Sequence, residues 1–270
     1  MTLYLIGLGL NDEKDITLRG LELVKKAKAV YLESYTAVLH CDKEKLESLY
    51  GRKIVTADRE LVEKNGEDIV KSALKEDIAF LVVGDPVSAT THTDILLRAI
   101  KQGVKVEVVH NASVMTAVGI IGLQLYKYGR TTSTVFPQEG WTVETHYDVI
   151  KENKERGLHT LCLLDIKTRE PSKENLKRGQ DSNVFAEKPM FMTVNEAIQN
   201  LLDIESRRRD GIFTEKTICV GCARLGSAGM KIKAGPAKLL LKENFGGPMH
   251  CLVVPGKLHF VEEEALEFWK

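Results

Sequence analysis

The amino-acid sequence predicts an α/β protein of two domains, with a parallel sheet in the first domain and a mixed sheet in the second. Over the first half of the chain, short apolar segments alternate with helix-forming segments, a pattern typical of parallel strands joined by right-handed helical crossovers. The second half has a different order of strand-like and helical segments. With 270 residues the chain can bury two cores. We therefore predict an N-terminal α/β domain at 1–112 and a C-terminal α/β domain at 113–270.

The elements of the first domain follow from the apolar pattern of each segment. The predicted strands are Leu3–Ile6, Val30–Glu33, Ile54–Thr56, Ile78–Val83 and Val104–Val109. The predicted helices are Thr17–Lys28, Lys43–Leu49, one or two helices within Glu60–Leu74, and Thr93–Lys101. Strands separated by helices in this way imply a sheet that is covered on both faces.

An apolar helix from Ser113 to Leu125, with Ser113 as its N-cap, is predicted to join the two domains. Beyond it, the predicted strands are Thr132–Phe136, His159–Ile166, Lys216–Leu225 and His250–Pro255, and the predicted helices are Val143–Lys154, Val194–Arg207 and Glu262–Trp269. Thr193 and Glu196 form a capping box at the start of the second of these helices. The charged segment Lys167–Lys188 is predicted to be an exposed, mobile loop.

Composition excludes several classes of function. The 38 basic and 38 acidic residues cancel, so no global field favours nucleic acid or an anionic membrane as the partner. No apolar segment approaches the length of a membrane span, and the N-terminus enters a strand without a leader, which predicts a cytoplasmic protein. Five scattered cysteines favour reduced thiols over a disulfide framework.

The segment from Leu81 to Asp94 is the first candidate for a ligand site. A buried strand ends there at Gly84, which permits positive φ, and Pro86 lacks the N–H that would continue the ladder. Strand ends of open α/β sheets bind ligands, so Asp85 is placed to face one, and Thr90 or Thr91 can cap the helix that follows. An ordinary turn in which the Asp85 side chain bonds its own backbone is an equally good interpretation.

A glycine turn, Gly7 to Leu10, follows the first predicted strand. It lacks the third glycine of a dinucleotide fingerprint, and three acidic residues within 11–15 would repel a phosphate. This disfavours a nicotinamide oxidoreductase. The turn instead suits a ligand without phosphates, to which Leu10 offers an apolar contact.

Cys219 and Cys222 have a spacing that occurs in zinc sites, with His250 and Cys251 as possible further ligands. Because the pair lies within a strand-like segment and no second Cys pair exists, we favour buried cysteines and no metal. His250 is the first residue of a predicted strand. It can be either a hydrogen-bonded structural histidine or a residue that contacts a ligand. His92 and His110 also flank strand ends. For the basic segment 207–209 we favour a solvated helix end over a surface that docks a protein.

Several longer segments resemble one family, and their order agrees over the whole chain. They are Leu3–Leu10 (LYLIGLGL), Gly51–Glu60 (GRKIVTADRE), Gly84–Asp94 (GDPVSATTHTD), His110–Val114 (HNASV), Gly122–Gly129 (GLQLYKYG), His159–Lys167 (HTLCLLDIK) and Val220–Gly226 (VGCARLG). The chain resembles the diphthine synthases in these segments, and the eukaryotic members more closely than the archaeal ones.

The resemblance implies a tetrapyrrole-methylase-like fold, a homodimer, and S-adenosylmethionine bound in the cleft between the two domains and released as S-adenosylhomocysteine. It also implies which residues bind this cofactor. In the first half and the joining segment they are Leu10, Asp85, Ser88, Ser113 and Val114, and in the second domain they are Leu164, Leu225 and His250.

The substrate implied by the resemblance is translation elongation factor 2, on a histidine that carries a 3-amino-3-carboxypropyl group. Its amine becomes trimethylammonium, and the eukaryotic members also methylate the carboxylate, giving diphthine methyl ester. The residues do not single out a general base, so we name no catalytic residue. The alternative is a tetrapyrrole methyltransferase of the same fold, for whose carboxylate-rich substrate several converging arginines would be expected. A further alternative is a binding module without enzymatic activity. It would not explain why the strand ends have the character of a ligand-binding cleft.

Overall fold

The computed structural model describes residues 1–35, 37–58, 61–62, 66–137, 143–167 and 189–270. The chain forms two compact units, Met1–Ala117 and Val118–Lys270, which we call the first and second units. The predicted loop at 167–188 lies, apart from Lys167, outside the described residues.

The first unit contains a five-stranded sheet with its helices between the strands. Its elements are β1 (Thr2–Gly7), α1 (Leu18–Lys26), β2 (Ala29–Glu33), α2 (Lys43–Tyr50), β3 (Val55–Ala57), α3 (Gly66–Ala73), β4 (Ile78–Val82), α4 (Thr93–Lys101), β5 (Lys105–Val109) and α5 (Val114–Ala117). The strand order is β3-β2-β4-β1-β5, and every neighbouring pair is parallel. The predicted parallel sheet is confirmed.

Both faces of this sheet are buried. On β4, Phe80 and Val82 belong to the core on one face, whereas Ala79 and Leu81 belong to the core on the other. Successive side chains of a strand point to opposite faces, so a strand covered on both sides is apolar throughout. This explains why β4 is an unbroken apolar segment in the sequence.

The second unit contains a mixed sheet. Its elements are β6 (Thr132–Thr134), α6 (Thr145–Glu155), β7 (Thr160–Leu164), β8 (Ile166–Lys167), β9 (Met190–Phe191), α7 (Val194–Arg208), β10 (Ile218–Ala223), β11 (Lys231–Pro236), α8 (Ala237–Leu240), β12 (His250–Val254) and α9 (Phe260–Glu267). The order is β11-β10-β12-β7-β6, where only β6 and β7 are parallel. This confirms the mixed sheet. The predicted capping box at Thr193 and Glu196 is present at the start of α7.

The predicted apolar helix from Ser113 to Leu125 is wrong in length. Ser113 does cap a helix, since its hydroxyl accepts a hydrogen bond from the Met115 N–H at 3.2 Å, but α5 ends at Ala117 and short 3₁₀ turns follow at Val118–Ile121 and Leu125–Lys127. A helix cannot continue through Gly122 to Leu125, because the φ of Gly122 is +90° and an added Cβ would lie 2.2 Å from the Cβ of Ala265. Glycine is the residue that adopts such a φ without strain.

Other predictions need smaller corrections. The strand predicted over His159–Ile166 is divided, since β7 ends at Leu164 and β8 pairs with β9 in a separate sheet. Two elements were not predicted: β11, in which two Lys residues alternate with Ile232 and Ala234 and give a weak apolar signal, and the short α8 after it. Within Glu60–Leu74 the described helix α3 begins at Gly66. Among the described residues, no helix has the length and apolar character needed to cross a bilayer.

Candidate functional site

The loops that follow β1 and β4 are joined by their glycines. Gly84 N–H donates to Gly9 O at 2.7 Å, and Gly9 N–H donates to Gly84 O at 3.2 Å. The φ angles are +76° at Gly9 and +80° at Gly84. Because β1 and β4 are parallel neighbours, their carboxyl ends meet at one edge of the sheet.

Asn111, just after β5, connects a third loop to the same edge. Its side-chain amide donates to Gly7 O and to Asp15 O, both at 2.9 Å. The Asp15 carboxylate in turn accepts hydrogen bonds from the backbone N–H groups of Leu10 at 3.1 Å and Asn11 at 2.9 Å. Asn111 was not among the predicted site residues, although its place two residues after the predicted strand Val104–Val109 was a usable signal.

Asp85 organises these loops through both carboxylate oxygens. Oδ1 accepts from the Val87 N–H and the Ser88 hydroxyl, each at 3.0 Å. Oδ2 accepts from His110 Nδ1 at 2.8 Å and from the Asn111 N–H at 3.2 Å. A carboxylate has about four lone-pair sites, so these four bonds fill its acceptor capacity. The bond from the Val87 N–H is the one expected of an ordinary turn, whereas the bonds from His110 and Asn111 join Asp85 to the loop after β5.

The environment of Asp85 keeps it ionised. Its side chain is only 6% exposed, and burial alone would raise its pKa. The hydrogen bonds from Val87, His110, Asn111 and Ser88 outweigh this effect and hold the pKa below its usual value. An ionised carboxylate only accepts hydrogen bonds, so His110 Nδ1 carries the proton in this pair.

The other predicted residues of the first unit lie on the same three loops. Leu10 and Ser88 are half-buried, Ser113 is buried, and Val114 is the half-buried first residue of α5. The structure therefore brings Leu10, Asp85, Ser88, Ser113 and Val114 to one sheet edge.

The prediction that Thr90 or Thr91 caps α4 is wrong. His92 takes the N-cap position without a side-chain cap bond, and its Nδ1 is hydrogen-bonded to the Thr90 hydroxyl. The ring is buried next to Tyr35 and Phe80, with centroids 5.9 and 5.4 Å away, and burial lowers its pKa to about 4. A neutral, buried His92 is a packing residue of this unit.

In the second unit, the three predicted contacts lie at one end of the sheet. Leu164 ends β7, His250 begins β12, and Leu225 follows the end of β10, where Ala223 lies opposite His250. Cys251 lies opposite Leu163, which puts His250 beside Leu164.

Both ring nitrogens of His250 are bonded within the protein. Nδ1 accepts from the Val194 N–H at 3.3 Å, and Nε2 donates to Gly247 O at 2.9 Å. Burial lowers its pKa. These hydrogen bonds give His250 a structural role, and its predicted contact with a ligand stays a prediction.

Arg224 precedes Leu225 with a φ of +51° and holds the neighbouring loop. Its guanidinium donates to Gly229 O at 2.9 Å and Phe245 O at 2.8 Å, and also to Gly247 O. The loop before His250 is thereby fixed to the end of β10.

Cys219 and Cys222 lie on β10, and both are fully buried. Three residues apart on a strand, they point to opposite faces of the sheet. Cys222 lies opposite Cys251 in the register. Within the described ranges, no group of three or more His, Cys, Asp or Glu side chains is arranged to hold a metal ion.

The basic segment at the end of α7 is largely paired with acidic side chains. Arg207 lies 3.0 Å from Glu144, and Arg208 lies 2.5 Å from Asp148 and 2.9 Å from Asp210. These ion pairs support the interpretation of a solvated helix end.

Comparisons with known proteins agree with this architecture. Residues 2–239 match the family model of the Tetrapyrrole (Corrin/Porphyrin) Methylases. Diphthine methyl ester synthase of Homo sapiens is 50% identical over 272 residues, an alignment that covers 99% of this chain and 94% of the human protein. The chain belongs to the diphthine methyl ester synthase family. As the resemblance in the sequence predicted, it is a methyltransferase of the tetrapyrrole-methylase type.

Solved structures support the same family. A diphthine synthase structure has a TM-score of 0.84 at 34% identity, covering 100% of this chain and 96% of its own. A structure from Entamoeba histolytica has a TM-score of 0.88 at 44% identity, covering 100% of this chain and 98% of its own. The predicted tetrapyrrole-methylase-like fold is thus confirmed.

Proposed function

We propose that this chain transfers methyl groups from S-adenosylmethionine to the modified histidine of translation elongation factor 2 in diphthamide biosynthesis. The acceptors are the amine of the 3-amino-3-carboxypropyl group, which becomes trimethylammonium, and then its carboxylate, which becomes the methyl ester. The observation that carries the proposal is the 50% identity to human diphthine methyl ester synthase over almost the whole chain.

The edge of the first unit's sheet fits a ligand without phosphates. A Cβ built on Gly84 would have no atom nearer than 3.8 Å, and its closest neighbours are Ala112 O and Ser113, so a ligand can approach the backbone there. Carbonyl and hydroxyl groups suit the polar atoms of S-adenosylmethionine, and Leu10 and Val114 offer apolar contacts. We assign Leu10, Ser88, Ser113 and Val114 to direct contact and Asp85 to holding the loop.

The predicted contacts of Leu164, Leu225 and His250 remain part of the proposal. Because both ring nitrogens of His250 are already bonded, its contact would be through the ring face or edge. Leu164 and Leu225 offer apolar surface. Substitution of each residue, followed by titration calorimetry with S-adenosylhomocysteine, tests its contact.

When bound, S-adenosylmethionine supplies a methyl group on a positively charged sulfur. The protein contributes by holding the acceptor in line with that methyl group at near-attack distance, since orientation alone can supply several kcal/mol of the barrier, up to about 7–11 kcal/mol. Interactions that strengthen only as the charge disperses raise the rate further.

The test is incubation of the protein with labelled S-adenosylmethionine and elongation factor 2 that bears the unmethylated precursor. We expect label on the factor, with the number of methyl groups counted by mass spectrometry, and no label on factor that lacks the precursor. The same incubation is carried out in parallel with a tetrapyrrole substrate in place of elongation factor 2. The loop segments 7–16, 84–91 and 110–116 contain no arginine to meet its carboxylates. Transfer to the tetrapyrrole alone would overturn the proposal.

Two further parts of the proposal concern the oligomeric state of the protein and its location in the cell. We propose a homodimer that acts in the cytoplasm, where its substrate factor works. Sedimentation at assay concentration tests the dimer, and a monomer that retains full binding of S-adenosylhomocysteine would contradict it. Titration calorimetry with S-adenosylhomocysteine and with NAD tests the cofactor.

A further inference from the structure

His110 and Asp85 form a pair at the sheet edge that bears the candidate cofactor loops. His110 Nδ1 donates to Asp85 Oδ2 at 2.8 Å. The two side chains differ in exposure, since the imidazole is 69% exposed and the carboxylate only 6%. A buried carboxylate therefore orients a histidine whose ring faces away from the core.

The hydrogen bond fixes the state of the ring. The Asp85 carboxylate can only accept, so the proton of the neutral imidazole lies on Nδ1 and the lone pair lies on Nε2. Among the described residues, no hydrogen-bond partner is observed for His110 Nε2. This is the arrangement in which a carboxylate prepares a histidine to accept a proton.

The proposed reaction requires such a group. An alkyl ammonium has no lone pair, so the amine must lose a proton before each of its three methylations. The carboxylate is ionised at neutral pH, so methylation of the carboxylate requires no base. The two halves of the proposed function therefore differ in their need for a proton acceptor.

We propose that His110 is the general base for amine methylation and that Asp85 is its positioning residue. This rests on the proposed function. His110 Nε2 takes a proton from the substrate ammonium, and the freed nitrogen lone pair forms the new N–C bond to the methyl group. The S–C bond breaks with its electron pair left on sulfur, giving S-adenosylhomocysteine. The imidazolium, stabilised by the Asp85 carboxylate, releases its proton to solvent before the next methylation.

The test compares two substrates. His110→Ala and His110→Gln are assayed with elongation factor 2 bearing the unmethylated group and with factor bearing the trimethylated group, which offers only its carboxylate. General bases typically contribute 10²- to 10⁴-fold. We expect amine methylation to fall about 100-fold or more, ester formation to stay near the wild-type rate, and added imidazole to restore part of the loss in His110→Ala.

Two measurements separate this role from a structural one. Titration calorimetry should show unchanged affinity of both variants for S-adenosylhomocysteine. Long-range ¹H–¹⁵N NMR of the wild-type protein, without substrate, should show His110 protonated on Nδ1. The matched control is His259→Asn, which removes another exposed histidine and keeps a side chain that can cap α9.

The outcomes separate this proposal from the proposed function. No transfer to the factor by the wild-type protein refutes the proposed function. Wild-type transfer with undiminished amine methylation in both His110 variants refutes only the role of His110. An equal fall in amine and ester methylation, or a proton on Nε2, assigns His110 to structure and also overturns its role as a base.

Discussion

Gly9 and Gly84 exchange two backbone hydrogen bonds, at 2.7 and 3.2 Å, although they lie in loops that follow different strands. The pair continues the contact between β1 and β4 beyond the last residues of both strands. Both residues have positive φ, which an L side chain adopts only with strain. The two loops thus depend on glycine for their shape.

Gly9→Ala is expected to destabilise the protein more than Gly103→Ala. The two glycines have almost equal φ, +76° and +77°, so both variants carry a similar backbone strain, roughly 1–2 kcal/mol. Only at Gly9 would the new Cβ clash, 2.6 Å from Asp15 Cβ, whereas nothing lies within 4 Å at Gly103. We expect an extra loss of about 1–3 kcal/mol in urea unfolding for Gly9→Ala. Equal losses would contradict the close packing of this loop.

Asp85→Ala is expected to lower both stability and cofactor affinity. The change leaves the part-buried N–H groups of Val87 and Asn111 without their acceptor, at a cost of roughly 1–3 kcal/mol in the free energy of unfolding. Ser88→Ala is the control for the stability measurement alone, because it removes one donor to Asp85 and should cost about 1 kcal/mol. Chemical unfolding and calorimetry with S-adenosylhomocysteine measure the two effects. Weaker binding with unchanged stability would instead support direct contact of Asp85 with the cofactor.

Glu262 is expected to make the free energy of unfolding depend on pH in the acid range. Burial raises its pKa, but hydrogen bonds from Lys127, Gln124, His259 and His159 outweigh this and lower the pKa to about 2. The pKa of Glu262 is lower in the native state than in the unfolded state. The Glu262 carboxylate therefore contributes fully to the free energy of unfolding above about pH 4.5, and this contribution is lost as pH falls through about 2. The shift corresponds to roughly 3 kcal/mol.

The measurement for Glu262 is the unfolding free energy of Glu262→Gln and wild type from pH 7 down to pH 3. We expect the difference between the two proteins to narrow as pH falls below 4.5. The exposed Glu263 is on the same helical turn, so Glu263→Gln is the matched control and should keep the wild-type dependence. A constant difference between Glu262→Gln and wild type would disprove the linkage.

Replacing Cys219 and Cys222 together by Ala is expected to leave methyl transfer intact. Both thiols are buried and point to opposite faces of the sheet, so they cannot together ligate one metal ion from the strand. The double variant should lose about 1–3 kcal/mol through packing. Metal analysis accompanies the activity assay. Stoichiometric zinc that disappears with activity in the variant would show that the cysteines are ligands.

Local patterns in the sequence were sufficient for much of the fold. The apolar segment of β4, the amphipathic α4 and the capping box of α7 each follow from neighbouring residues, and the structure has all three. Where a local pattern was ambiguous, prediction failed. Residues 113–125 are apolar enough for one helix, but α5 ends at Ala117 and no helix can continue through Gly122. There φ is +90° and Ala265, which is distant in the sequence, leaves no room for a Cβ.

The sequence by itself determined that loops would follow β1, β4 and β5, because glycine, proline and polar residues come directly after apolar strands, and it predicted a ligand site on the first two of these loops. Only the tertiary structure decided what the side chains of those loops bond. Asp85 meets Asn111 across 26 residues, and Asn111 meets Gly7 across 104. These pairs form because the strand order β4-β1-β5 brings three distant loops to one edge, and no local pattern encodes that order. The same geometry gives Asp85 four protein donors and leaves His110 exposed beside it.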